Sequence, residues 1–246
     1  MADIPSSALA ACAVSAQALA RILLDLATAL SAPAATADPV GRRARQIIRV
    51  LAPRVRGMAD VGAIGRMLAQ GVQDLARAAN PSDAATGLYA AAARARDAYP
   101  RTASPVLTRA YRAAQALATG MEVACLGEAF LAESRSAFAD RPSGERARAR
   151  IAAAMDASGD RIAGLLGQEV YGALNAVALE TGTYLAQQLA SLRPVVRVQA
   201  ARALPSTALA WALYGDPARG AELVARNNSG TPLFLGPVIE ALSPNP

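Results

Sequence analysis

The chain contains no histidine and no lysine; all 25 of its basic residues are arginine. Without histidine, neither a Ser-His-Asp nor a Cys-His pair can be assembled. The two cysteines, Cys12 and Cys125, are too few for a disulfide framework or, with no histidine beside them, for a zinc site. They read as buried free thiols. No P-loop or dinucleotide fingerprint occurs. Aromatic residues make up only 4% of the chain. The strongest apolar run, Leu19 to Leu30, carries Arg21 and Asp25 and is too short and too polar for a bilayer span. Leu9-Ala10-Ala11-Cys12 has the outline of a lipoprotein cleavage box, but Met1-Ala2-Asp3-Ile4 supplies no positive segment before it. Neither lipidation nor a secretion signal is expected.

What is abundant is alanine, inside a 53% hydrophobic composition. Alanine favours helix but buries little area per residue. Helices of this kind need neighbours, so an oligomer or a place in a larger assembly is expected. The net charge of +6 suits anions without specifying one.

The pattern along the chain is helical. Leu19, Ile22, Leu23, Leu26 and Leu30 recur at three and four residues on a first helix capped by Ser6 or Ser7 and ending near Ser31. After a Pro/Ala/Thr break up to Pro39, a helical run from Gly41 to Ala79 should be split at Pro53. Asn80-Pro81 restarts the chain as a helix over residues 83–99. Ser104-Pro105 caps another, reaching residue 139. Ser143 caps a further run from Glu145 to Leu192, with a discontinuity expected at Ser158-Gly159.

The last fifty residues are punctuated differently. Val195, Val196 and Val198 favour a strand. Leu204-Pro205-Ser206 opens a short helix whose Leu209, Leu213 and Tyr214 face a small core, with Trp211 partly covering it. Asp216 caps the next helix, with Pro217 in its first turn and Leu223 and Val224 packing it. Gly236-Pro237 leads into a closing strand over residues 238–242. The fold class expected is mainly α: an Ala/Arg-rich helical bundle over residues 1–193, with a sub-boundary near 100, then a small α+β module over 194–246.

Tyr214-Gly215-Asp216, Asn227, Pro232-Leu233-Phe234 and Gly236-Pro237 give this module a resemblance to the LysM domain, a strand-helix-helix-strand fold. It departs where LysM domains carry Gly-Asp-Thr after the first strand; here the chain reads Ala201-Arg202-Ala203, in the region of the family's glycan-reading loops. A wider resemblance rests on the run from Leu204 to Asp216 and on Ala221 to Asn227, with the Ala-rich helices before them. Over residues 105–244 the chain resembles the C-terminal part of the Mu-type phage DNA circularisation proteins. Members usually carry an N-terminal domain of mixed structure, whereas this chain starts directly with helices. That resemblance implies a virion structural protein of a phage or phage-like tail, in the baseplate or hub region, assembled in the bacterial cytoplasm. Its partners would be other tail and baseplate proteins and further copies of itself, in a homo-oligomer that is a ring, trimer or hexamer.

On this reading the chain is not an enzyme and takes no cofactor or metal. Trp211, Tyr214, Asp216 and Asn227 are the candidate protein-docking residues. Arg42, Arg43, Arg45 and Arg49, ahead of Arg54 and Arg56, are the candidate nucleic-acid contacts, because guanidinium groups at helical spacing suit phosphate. Aromatic interleaving, expected of a single-strand binder, is missing. The Glu122/Glu128 and Asp156/Asp160 pairs read as solvated faces, and Glu169 and Glu180 as ion-pair partners of arginines. The rival functions are a DNA-end-binding protein and a peptidoglycan-binding accessory protein.

Overall fold

The structure, a computed structural model, describes residues 5–243. Residues 1–4, and with them the segment read as lacking a positive leader charge, lie outside the described residues, as does the end of the terminal module at 244–246. Three quarters of the protein is helical, with one two-stranded antiparallel sheet. The chain divides into two compact units, residues 5–137 with 150–183, and residues 138–149 with 184–243.

The first unit opens with α1 (Ser6–Ala29). Its cap is Pro5 rather than a serine: the extended Pro5 carbonyl accepts from the Ala8 and Leu9 amides, which places Ser6 already inside the helix. With 24 residues and a best-window mean hydropathy of 1.6, α1 is long and apolar enough to cross a bilayer by length and composition, although the Leu19–Leu30 run alone is not. Half of that window is buried, with Leu19, Leu23 and Leu26 in the helical core, the setting of a core helix.

The break after α1 is shorter than the prolines suggest. α2 (Ala34–Gln46) begins at once and runs through Pro39, because packing Val40, Gly41 and Ala44 holds the helix across the missing amide. The chain then widens into a π-helical turn (Ile47–Leu51), tightens into a 3-10 turn (Ala52–Arg54) and stops, as Pro53 demands. α3 (Met58–Ala78) follows, with Asp60 accepting from the Arg56 and Gly57 amides. α4 (Pro81–Arg96) is capped by Asn80. Ser104 caps α5 (Pro105–Ala110) as expected, but the helix is interrupted at Tyr111 before α6 (Arg112–Arg135).

α6 is the centre of this unit, packed by α1, α3, α4 and α5. It buries residues on every side, from Ala114 through Cys125 and Phe130 to Glu133, and so shows little amphipathic periodicity. α4 and α6, on either side of residue 100, pack against each other. The unit is completed by α7 (Arg141–Leu166) from residue 150 and by α8 (Gln168–Ala190) up to residue 183. α7 is continuous through Ser158-Gly159. Gly159 is there for close approach, since a Cβ would stand 3.1 Å from the Tyr171 ring. The helix breaks instead at Gly167, whose φ of +94° is one that side chains resist.

In the second unit Asp140, not Ser143, caps α7: its Oδ1 accepts from the Ser143 amide at 2.9 Å and from the Ser143 hydroxyl at 2.5 Å. β1 (Val195–Gln199), α9 (Ser206–Tyr214), a 3-10 turn (Pro217–Arg219), α10 (Gly220–Arg226) and β2 (Val238–Leu242) follow. The strands pair antiparallel from Val195↔Leu242 to Gln199↔Val238. Leu209, Ala210, Leu223, Leu235, Ile239 and Ala241 form the core, with Leu213, Tyr214 and Val224 packed against it. Trp211 does not cover this core; it lies on the outer face of α9 with the exposed Thr207, Ala208 and Ala212.

Candidate functional site

The terminal module places its four sequence-nominated residues in different roles. Trp211 is 63% exposed. The Tyr214 ring is half-buried and has the Arg219 guanidinium stacked 3.6 Å from its centroid. Burial, then the nearby Glu222 carboxylate, raises the Tyr214 hydroxyl pKa above its ordinary value. Asp216 is exposed and accepts from the Ala218 amide, capping the 3-10 turn that leads into α10. Asn227 is an internal latch. Its Nδ2 donates to the Leu223 and Glu240 carbonyls at 2.9 Å, and its Oδ1 accepts from the Glu240 amide at 2.7 Å. An exposed β2 edge is thus closed by a side chain.

Three further exposed apolar side chains were not nominated: Leu233, Phe234 at 67% and Val238. Pro232 accepts from the Ser206 amide and Leu235 bridges Leu204, so Leu233 and Phe234 sit beside the start of α9. Val238 could have been found from the period of two along β2, where Ile239 and Ala241 point inward and Val238 and Glu240 outward. In a chain with three phenylalanines and one tryptophan, leaving Trp211 and Phe234 in water is unusual placement for its largest apolar groups.

A charged chain of contacts runs through the same unit. Asp140 binds Arg226 at 2.6 Å, Arg226 reaches Glu222 at 3.9 Å, and Glu222 binds Arg219 at 2.7 Å. Burial pushes the Asp140 pKa up, but hydrogen bonds from Ser143 and Arg226 outweigh it, and the net shift is downward. Asp140, Arg226 and Glu222 border an open cleft of about 890 Å³, with Glu145, Arg146 and Glu240 also in its wall. The network ties the first turn of α7 to α10. Among the described residues no group of histidine, cysteine, aspartate or glutamate is arranged to hold a metal ion.

The basic cluster divides. Arg43 is engaged by Asp74 at 3.0 Å. Arg42, Arg45 and Arg49 are exposed and form no ion pair among the described residues. Their spacing puts them on one side of α2 and the π-helical turn after it.

Two of the carboxylates expected in water are inside. Glu122 is fully buried, held by Arg161 at 2.5 Å, Arg96 at 3.2 Å and the Ser158 hydroxyl at 2.8 Å. Glu128 is also buried, beside Gln73. The all-round packing of α6 leaves these positions no route to solvent. Asp156 and Asp160 do stand in water. Glu169 and Glu180, expected to pair with arginines, are exposed and pair with none among the described residues. Both cysteines are buried; burial, then Glu122, pushes the Cys125 thiol up to about 12, so it is inert.

A comparison with protein families finds no match to this chain, and a comparison with curated proteins finds none either. The class that the fold defines is a helical protein ending in a strand-helix-helix-strand module.

Proposed function

We propose that this chain is a structural component of a phage or phage-like tail, in the baseplate or hub region, that works by protein-protein packing. The terminal module, LysM-like in its order of elements, docks on another tail protein. The observation that carries the reading is the exposed set Trp211, Leu233, Phe234 and Val238 on a module of only about fifty residues. Large aromatic groups of this kind dominate protein interfaces. The resemblance of residues 105–244 to the DNA circularisation proteins supplies the setting. The test is mass spectrometry of tail particles purified from cells that produce the chain. The protein is expected at fixed stoichiometry, and a Trp211→Ala, Phe234→Ser variant is expected to incorporate at least about tenfold less. Particles that lack the wild-type chain overturn the proposal.

The second reading, binding of DNA ends, is favoured by one observation, the exposed Arg42, Arg45 and Arg49, which form no ion pair among the described residues. It requires retention on DNA that falls steeply with salt and weakens when these three become glutamine. Retention unchanged by the triple substitution excludes this face as the contact.

A further inference from the structure

Two clefts of the first unit share a wall. One, of about 270 Å³, runs between α3 and α6 past Met58, Val61 and Gly120. The other, of about 590 Å³, is bordered by Pro5, Val106, Arg109 and Arg112. Ala113 and Ala116 of α6 line both, which makes them one groove. Its lining is apolar or small apart from Ser7 and the two arginines, and among the described residues no acidic side chain lines it. Val106 in one half is 78% exposed, and Met58 in the other is also exposed. Arg66 adds positive charge near Met58: its guanidinium lies 3.7 Å from where a Cβ on Gly62 would stand.

The complementary surface is on the same chain. α8 has two carboxylates, Glu169 and Glu180, and no arginine. Between and beside them, Gly172, Ala176, Leu179 and Thr183 are exposed at spacings of three and four, and Leu179 is 64% exposed. Eleven residues are close to three helical turns, so Glu169 and Glu180 lie on one side of α8, roughly 16 Å apart. The stripe is apolar in the middle and negative at both ends. The groove is apolar in the middle, with Arg66 beside one half and Arg109 and Arg112 lining the other.

We propose that the α8 stripe of a second copy of this chain lies in this groove, its carboxylates facing Arg66 at one end and Arg109 with Arg112 at the other. An apolar centre with charges at the rim is the usual anatomy of a specific interface. Groove and stripe are different surfaces, so the contact is head-to-tail. Each added copy leaves one groove and one stripe free, and the series ends as a ring if the rotation closes or as a filament if it does not. This inference deepens the building-block reading by naming a self-contact, and it fails separately from that reading.

Sedimentation velocity of the full chain across the micromolar range tests it. The wild type is expected to self-associate. Arg66→Glu with Arg109→Glu, and separately Glu169→Arg with Glu180→Arg, should each raise the dissociation constant at least tenfold. An equimolar mixture of the two variants should associate again, because a reversed groove then meets a reversed helix. Gly120→Leu, at a position where an added Cβ meets nothing within 4 Å, should block the groove without altering charge. A monomeric wild type, variants that associate like it, or a mixture that stays monomeric overturns the contact. None of these outcomes bears on whether the chain is found in tail particles.

Discussion

At the scale of single residues, the tightest constraints are polar groups inside an Ala-rich interior. Removing an ion from water costs several kcal/mol, and α6 buries Glu122 and Glu133 almost completely. Each is matched by guanidinium: Arg96 and Arg161 on Glu122, and Arg150 on Glu133 through both Nε at 3.0 Å and Nη2 at 2.7 Å. Glu122→Ala should therefore cost about 3 kcal/mol, since it abandons two arginines at a buried position. Tyr89 is the opposite case. Its hydroxyl is buried with no hydrogen-bond partner among the described residues, and burial followed by the Glu133 charge drives its pKa upward. Tyr89→Phe removes an unmatched polar atom and keeps the ring against Phe130, 6.3 Å away. It should leave stability unchanged or raise it by up to about 1 kcal/mol. Urea unfolding of both variants checks the pair; a loss above about 1 kcal/mol for Tyr89→Phe would refute the assignment of an unmet hydroxyl.

At the scale of elements, the sequence shows the residue types that end helices more surely than their positions. Asp140-Arg141-Pro142-Ser143 offers two caps, and Asp140 takes the role by accepting from both the Ser143 amide and the Ser143 hydroxyl, with Pro142 then in the first turn, where its missing amide costs nothing. The same pattern puts Ser104 in front of Pro105, as the sequence shows, and Asn80 in front of Pro81, two residues before the expected start at 83. Asp140 also joins α10 through Arg226, which gives this cap a pH dependence. Its native pKa lies below the ordinary 3.8, so its stabilisation is complete above that value and is lost as pH falls through the lower native value. The groups facing it are Ser143 and Arg226, with Glu222 beyond Arg226. Asparagine caps as well as aspartate, so Asp140→Asn isolates the charge. It should lose about 2 kcal/mol at pH 7, with the gap to wild type closing in acid below the ordinary 3.8. Denaturant unfolding of both proteins at neutral and acid pH measures this; a gap that persists in acid would show that Asp140 acts by shape rather than charge.

At the scale of the whole molecule, the helical class follows from alanine content, and the strand-helix-helix-strand order follows from Gly and Pro punctuation between residues 194 and 242. The faces of the helices were harder to read. Alanine is small enough to lie in a core or in water, so an Ala-rich helix carries a weak hydrophobic period. That is why the burial of Glu122 and Glu128 and the groove across Ala113 and Ala116 do not show in the sequence. The candidate docking residues were partly legible: Trp211 stood out by type, whereas Asn227 proved to be a latch because its partner, the Glu240 backbone, is distant along the chain.

The exposure of Trp211 also has an optical consequence. It is the only indole in the chain, and it lies in water on the outer face of α9. Its emission therefore reports the polarity around one point of one module, free of overlap from any other tryptophan. Anything that covers the module would shift that emission toward the blue, and the protein carries its own label for the event.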